Sequence, residues 1–336
     1  MTDRINRRIV LEAHPEGTFR TTDLRYTEDP VAPLAEGHAL IGVDVLSIDA
    51  FIRTVMDPGA YHRSLALGST VTALGVGTVL ESTVDTLAPG DQVFGPLGAQ
   101  TFMAAPAGMF RKLDVSEVPA SAYLGAIGMT TGLTAFFGMS EVAQIQPGDT
   151  VVVSGAAGAV GSLAGQIARL LGAGQVIGIA GGPAKCAFLV DELGFTAAID
   201  YKNDDVAARL TELAPDGVNV MFDNVGGEIL DTVLFQIARG ARVVICGAIS
   251  QYEQMDAVRG PSNYLKLAER RARMEGFDVT TFAAQFAEGE ATMKAWLVAG
   301  NLVMREHRMH GVEQFPEALH TLLTGGHTGK LLLAIS

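Results

Sequence analysis

The run Val151-Val-Val-Ser154-Gly-Ala-Ala-Gly158-Ala-Val-Gly161-Ser162 leaves a chain few ways to fold. Its β-branched start has the composition of a strand buried on both faces. Glycines follow at 155, 158 and 161. Helical spacing then takes over, with Leu163, Ile167, Leu170 and Leu171 on or near one face, and stops at Gly172. Strand, glycine turn and helix in this order aim backbone N–H groups and a positive helix end at a phosphate. The first position of the usual Gly-x-Gly-x-x-Gly pattern is Ala156, so the motif alone also fits a tight strand-to-helix turn of some other α/β protein.

What surrounds the motif narrows the choice. Strands are expected at 175–180, 197–200, 219–223 and 242–247, with helices at 183–193, 204–214 and 228–238 between them. That alternation predicts a doubly wound parallel sheet covered on both faces, a Rossmann-type α/β domain. Residues 1 to about 120 have a different character. Segments 39–47, 75–82, 101–106 and 109–113 are short and apolar, and Pro89-Gly90-Asp91 is a turn feeding a further strand. They predict a small barrel-like, β-rich domain. After about residue 260 come helical segments such as 285–298, and the chain closes on the strand 329–335, placed to rejoin the first domain.

Composition excludes several roles. A net charge of −13 with 37 acidic against 24 basic residues gives no basic face for nucleic acid or anionic membrane. The two cysteines, Cys186 and Cys246, make no disulfide framework, and no Cys-x-x-Cys or His-x-x-x-His spacing offers a metal site. The uncharged stretch 118–140, and 142–168 with only Asp149, are rich in Gly, Ser and Thr, so no membrane span is expected. No apolar core follows the charges of residues 1–8, which points to a cytoplasmic protein.

The sheet also indicates its cofactor. An NAD-binding domain usually ends its second strand with Asp or Glu on the ribose 2′-hydroxyl. Here that strand runs out as Ile179-Ala-Gly-Gly-Pro-Ala-Lys185, without an acid. A carboxylate would repel a 2′-phosphate, whereas Lys185 could pair with it and Tyr201 could add a hydroxyl donor. Taken singly, Lys185 also reads as a solvated helix lysine and Tyr201 as a loop tyrosine. Together with the missing acid they favour NADP(H).

At this point a family resemblance can be named. Its carriers are Ile48-Asp-Ala-Phe-Ile-Arg53, Leu124-Gly-Ala-Ile-Gly-Met-Thr-Thr-Gly-Leu-Thr-Ala-Phe-Phe-Gly138, Ala156-Ala-Gly-Ala-Val-Gly-Ser162, Phe222-Asp-Asn-Val-Gly-Gly-Glu228, Ile245-Cys-Gly-Ala-Ile-Ser-Gln-Tyr252 and Met274-Glu-Gly-Phe277. With these the chain resembles, over essentially its whole length, the zinc-independent branch of the medium-chain dehydrogenase/reductase superfamily. Within it the likeness is to the leukotriene B4 12-hydroxydehydrogenase, prostaglandin reductase, alkenal double-bond reductase and curcumin reductase group. The resemblance implies a GroES-like catalytic domain of residues 1–122 and 305–336, a Rossmann NADP-binding domain of residues 123–304, and a homodimer.

It also implies roles for individual residues. Gly158, Ala159, Val160, Gly161 and Ser162 would hold the pyrophosphate, and Lys185 and Tyr201 the 2′-phosphate. Asn224 and the loop Cys246, Gly247, Ala248, Ile249, Ser250 and Tyr252 would line the nicotinamide ribose. Met129 and Thr130 would lie near the carboxamide, and Phe277, Asp278 and Val279 would pass the nicotinamide on the domain interface. The family's usual Asn is His327 here, and its frequent Ser is Gly182.

Neither cysteine falls in the N-terminal domain, where zinc-dependent relatives hold their catalytic metal. Alcohol oxidation without a Lewis acid needs another way to stabilise an alkoxide. Reduction of an activated C=C bond needs only a hydrogen-bond donor for the developing enolate. Candidate donors are Tyr252 and Tyr61, with His62 nearby, and Arg53 resembles a family arginine that reads as structural. The expectation is an NADPH-dependent ene-reductase acting on small α,β-unsaturated aldehydes or ketones. The alternatives are an NADPH:quinone oxidoreductase and, from a different class, a redox sensor that binds NADPH without turnover.

Overall fold

The computed structural model describes residues 4–58, 64–253 and 257–335. They divide into two compact units, Met1–Leu124 with Glu306–Ser336, and Gly125–Arg305.

The first unit is β-rich. Strand β1 (Ile5–Leu11) pairs antiparallel with β2 (Leu24–Pro30). The central strand β3 (His38–Ser47) pairs with β4 (Gly75–Ser82), which pairs in turn with β5 (Gln92–Gly95). Strand β6 (Phe102–Pro106) also joins β3, and β7 (Arg111–Lys112) joins β5. All of these pairings are antiparallel. The expected Pro-Gly-Asp turn forms before β5: Gly90 takes φ +94° and the Asp91 carboxylate accepts the Ala88 N–H at 2.9 Å. Arg7, Arg8 and Glu28 interrupt the apolar pattern of β1 and β2, so the sequence alone does not mark this pair.

The second unit holds six strands: β8 (Thr150–Ser154), β9 (Gln175–Ala180), β10 (Ala197–Asp200), β11 (Val218–Asp223), β12 (Ile237–Ile245) and β13 (Arg273–Gly276). They lie in the order β10-β9-β8-β11-β12-β13 with every pairing parallel, so the sheet is doubly wound and its order reverses between β8 and β11. Val151, Val152 and Val153 are fully buried, which stabilises the sheet by roughly 1.5–3 kcal/mol for each side chain. Five strands are expected from the sequence, and six are present among the described residues. The sixth, Arg-Met-Glu-Gly, is an exposed edge strand with no apolar run to announce it. The helix Ala159–Leu170 buries Leu163, Ala164, Ile167 and Ala168, whereas Leu170, expected on or near that face, is 38% exposed.

The chain returns to the first unit with β14 (Glu306–His310), parallel to β15 (Lys330–Ala334). Strand β15 pairs antiparallel with β3 through Leu332 and Ser47, and its Leu331, Leu332 and Leu333 are buried. Among the described residues no helix is long and apolar enough to cross a membrane.

Candidate functional site

In the second unit the expected ligands of a dinucleotide gather at the carboxyl ends of the parallel strands. The glycine turn after β8 explains its departure from the usual pattern. Gly155 is the residue with positive φ, +56°, so position 156 accepts a Cβ, and Ala156 is fully buried. A Cβ at Gly161 would drive into the Gly155 carbonyl and come 2.9 Å from the Ala156 Cα, so only glycine lets helix and turn close together. Gly158 caps the helix, and Ser162 is committed to it, donating its N–H to Gly158 O and its hydroxyl to Ala159 O. The first-turn N–H groups of Ala159, Val160 and Gly161 have no intrahelical acceptor by position, which leaves them for an anion.

Two loops meet beyond β9 and β10. Asp200, at the end of β10, accepts the N–H of Gly182 at 2.7 Å, that of Lys202 at 3.1 Å and the Asn203 amide at 2.7 Å. These donors hold its carboxyl below the ordinary aspartate range, the Gly182 N–H most of all. A carboxylate is therefore present near the second strand after all, but it organises the loop. The Tyr201 ring and the Lys202 stem pack over Gly181, each 2.9 Å from where a Cβ would stand. Burial and then the charge of Lys202 hold the Lys185 ammonium below the usual lysine range. Sequence reasoning missed Asp200 and Lys202, although they flank Tyr201 directly at the end of a recognised strand.

A second network spans the point where the strand order reverses. Asp223 is fully buried and accepts Ser154 Oγ–H at 2.6 Å, Gly226 N–H at 2.9 Å and Val225 N–H at 3.2 Å. Burial raises its pKa despite these donors. Asn224 ties β11 to β8, donating its side-chain amide to Ser154 O at 2.7 Å and its N–H to Ser154 Oγ at 2.9 Å. The N–H groups of Cys246 and Gly247 both reach Asp223 O, and Ile249 N–H reaches Asn224 O. Ser250 donates its hydroxyl to Val225 O at 2.6 Å. The Tyr252 hydroxyl folds back over Gly247 and accepts the Ala248 N–H at 3.3 Å. Burial raises its pKa, and burial with the Asp223 charge pushes the Cys246 thiol up to about 12.

The remaining expected residues of this unit flank that network. Met129 opens a helical stretch after Gly128 and accepts the Thr134 hydroxyl at 2.9 Å, with Thr130 half-buried beside it. The Phe277 ring packs against Gly138 together with Phe222. Asp278 caps the short helix Val279–Gln285, accepting the Thr280 N–H and hydroxyl at 2.8 Å.

In the first unit, Arg53 is buried and donates to Asp57 at 2.7 Å and to Gly17 O at 2.8 Å, which braces the short helix Phe51–Thr54. Tyr61 and His62 lie outside the described residues. His327 is buried. Lys330, at the start of β15, donates to Asp49 at 2.6 Å, and Asp49 also accepts the Ser47 hydroxyl. Among the described residues no three His, Cys, Asp or Glu side chains gather as metal ligands.

The second unit's residues fit NADP(H): a glycine turn closed against a Cβ, N–H groups directed from a helix start, and two lysines with a tyrosine beside the second strand. Comparison with known proteins agrees. Residues 159–295 match the family model described as zinc-binding dehydrogenase, and residues 7–113 the N-terminal domain of oxidoreductase. YfmJ of Bacillus subtilis (strain 168), provisionally named an NADP-dependent oxidoreductase, is 41% identical over 98% of this chain and 97% of its own. The 2-alkenal reductase (NADP(+)-dependent) of Nicotiana tabacum is 35% identical over 98% of each chain. The crystal structure of CurA in complex with NADPH from Vibrio vulnificus matches with a TM-score of 0.92 at 33% identity, over 98% of this chain and 99% of that one. Relatives at this identity run the full length of the sequence, and a neighbour of the same fold carries NADPH. The chain therefore belongs to the zinc-independent medium-chain dehydrogenase/reductases and is an NADP-dependent oxidoreductase.

Proposed function

We propose that this protein is an NADPH-dependent ene-reductase that saturates the C=C bond of small α,β-unsaturated aldehydes and ketones, acting in the cytoplasm as a homodimer. The observation that carries the reading is the Tyr252 hydroxyl. Its oxygen accepts the Ala248 N–H, and burial keeps the phenol protonated well past neutral pH. It stands on the loop that also carries Cys246 to Ser250, in a chain 35% identical to a 2-alkenal reductase.

Bound NADPH supplies the hydride, which goes to the carbon β to the carbonyl. The protein's part is to bind, orient and donate. Ala159 to Gly161 take the pyrophosphate on backbone N–H groups, and Lys185 and Tyr201 take the 2′-phosphate. Asn224 and Cys246 to Ser250, held in place by Asp223 and Ser154, would line the nicotinamide ribose. Tyr252 O–H donates a hydrogen bond to the developing enolate oxygen, and water or the phenol completes protonation at the α carbon. The test is incubation with NADPH and trans-2-nonenal or an enone, following absorbance at 340 nm and identifying the product. Loss of NADPH with formation of the saturated carbonyl is expected. No turnover across a panel of enals and enones overturns the reading, and turnover confined to quinones replaces it with the quinone reductase alternative.

A further inference from the structure

We propose that Lys202 is a second cation of the 2′-phosphate subsite, opposite Lys185, and that it sets the preference for phosphorylated over unphosphorylated nucleotide. This rests on the reading of NADPH as the cofactor and adds a residue to it.

The argument begins with charge. The chain as a whole is strongly acidic, yet the Lys202 stem lies on the Gly181 turn and its charge reaches the Lys185 ammonium. Converging like charges cost free energy, and a fold tolerates them where a ligand of opposite sign compensates. A phosphate monoester carries about −1.5 to −2 charges at neutral pH, more than one lysine neutralises. Placement agrees. The Lys202 stem lies across Gly181, 2.9 Å from the position of a Cβ there, beside the Tyr201 ring at the same distance. A side chain at residue 181 would displace both. Among the described residues Lys202 makes no salt bridge, and its charge acts both on the Asp200 carboxylate and on the Lys185 ammonium.

The turn is built to hold this geometry. Asp200 Oδ1 accepts the N–H groups of both Gly182 and Lys202, which ties the two loops to one oxygen. Its two bound N–H groups and the Asn203 amide keep this carboxylate ionised and occupied by the backbone. It lies between the loops as a fastener.

The experiment uses the full chain and two fragments that differ only in the phosphate, 2′,5′-ADP and 5′-AMP, with binding measured calorimetrically. For Lys202→Met the dissociation constant for 2′,5′-ADP is expected to rise about tenfold, the loss of one charge-assisted contact, and that for 5′-AMP to stay unchanged. Lys202→Arg should keep most of the preference. Unchanged binding of both fragments by Lys202→Met, or equal weakening of both, overturns the proposal. A wild-type protein that does not distinguish the fragments overturns the NADPH reading itself, which separates that failure from the failure of Lys202 alone.

Discussion

Asp200 and Gly182, on neighbouring crossovers of the parallel sheet, are joined by a 2.7 Å hydrogen bond from the Gly182 N–H to the carboxylate. This bond sets the shape of the turn where an acid would otherwise select NAD. Replacing Asp200 with Ala is expected to raise KM for NADPH several-fold and to lower the thermal transition, because three donors lose their acceptor. Because the native carboxyl titrates below its unfolded value of about 3.9, its contribution is complete above that pH and is lost as pH falls through the lower native value. Circular dichroism against pH checks this: no loss of structure from this group is expected between pH 5 and 8.

Lys185 gives the direct test of cofactor choice. Lys185→Ala should raise the apparent constant for NADPH by about tenfold or more and leave that for NADH little changed. An equal loss with both cofactors would contradict the assignment.

Tyr252→Phe removes the proposed donor and keeps the aromatic ring. Turnover of an enal should fall about a hundredfold, within the usual range for one acid–base group, while NADPH affinity stays within about twofold. Since the phenol pKa is raised, the wild-type rate should hold from pH 6 through 9 and decline only above the ordinary tyrosine value of about 10. Steady-state kinetics across pH, with calorimetric binding, measure both.

If enals are the substrates, as proposed, the protein's own thiols must withstand them. With the Cys246 thiol pushed up to about 12, only about one molecule in ten thousand carries the thiolate at pH 8. Peptide mass spectrometry after exposure to iodoacetamide or trans-2-nonenal at pH 8 should find Cys246 unmodified. Rapid modification at that position would contradict the raised thiol pKa.

Much of the second unit was legible because parallel strands buried on both faces are written as apolar runs. The segments 150–154, 175–180 and 197–200 stand out for this reason, and Asp200 to Tyr201 could be placed at a strand end. Strand β13 was not legible, since an edge strand of Arg, Met, Glu and Gly carries no such signal. Within the site, the residue types of Lys185 and Tyr201 pointed to a phosphate. The roles of Asp200, Lys202 and Asp223 depend on which loops face each other, and that is set by strand order. The glycine motif shows the same limit: Ala156 leaves the pattern unspecific in sequence, whereas in the structure the left-handed residue is Gly155.

Strand β15 bears on how the chain is made. Its partner β3 emerges early, and the buried pair Asp49–Lys330 spans 281 residues. At ribosomal speeds of about 5–20 residues per second, β3 waits on the order of tens of seconds for its neighbour. The unit Gly125–Arg305 is continuous in sequence and all of its strands are available before Lys330 is synthesised. Biogenesis therefore runs inside out: the middle of the chain can settle first, and its opening strands remain an unfinished edge, open to capture by chaperones or other nascent chains, until the last of the sheet arrives.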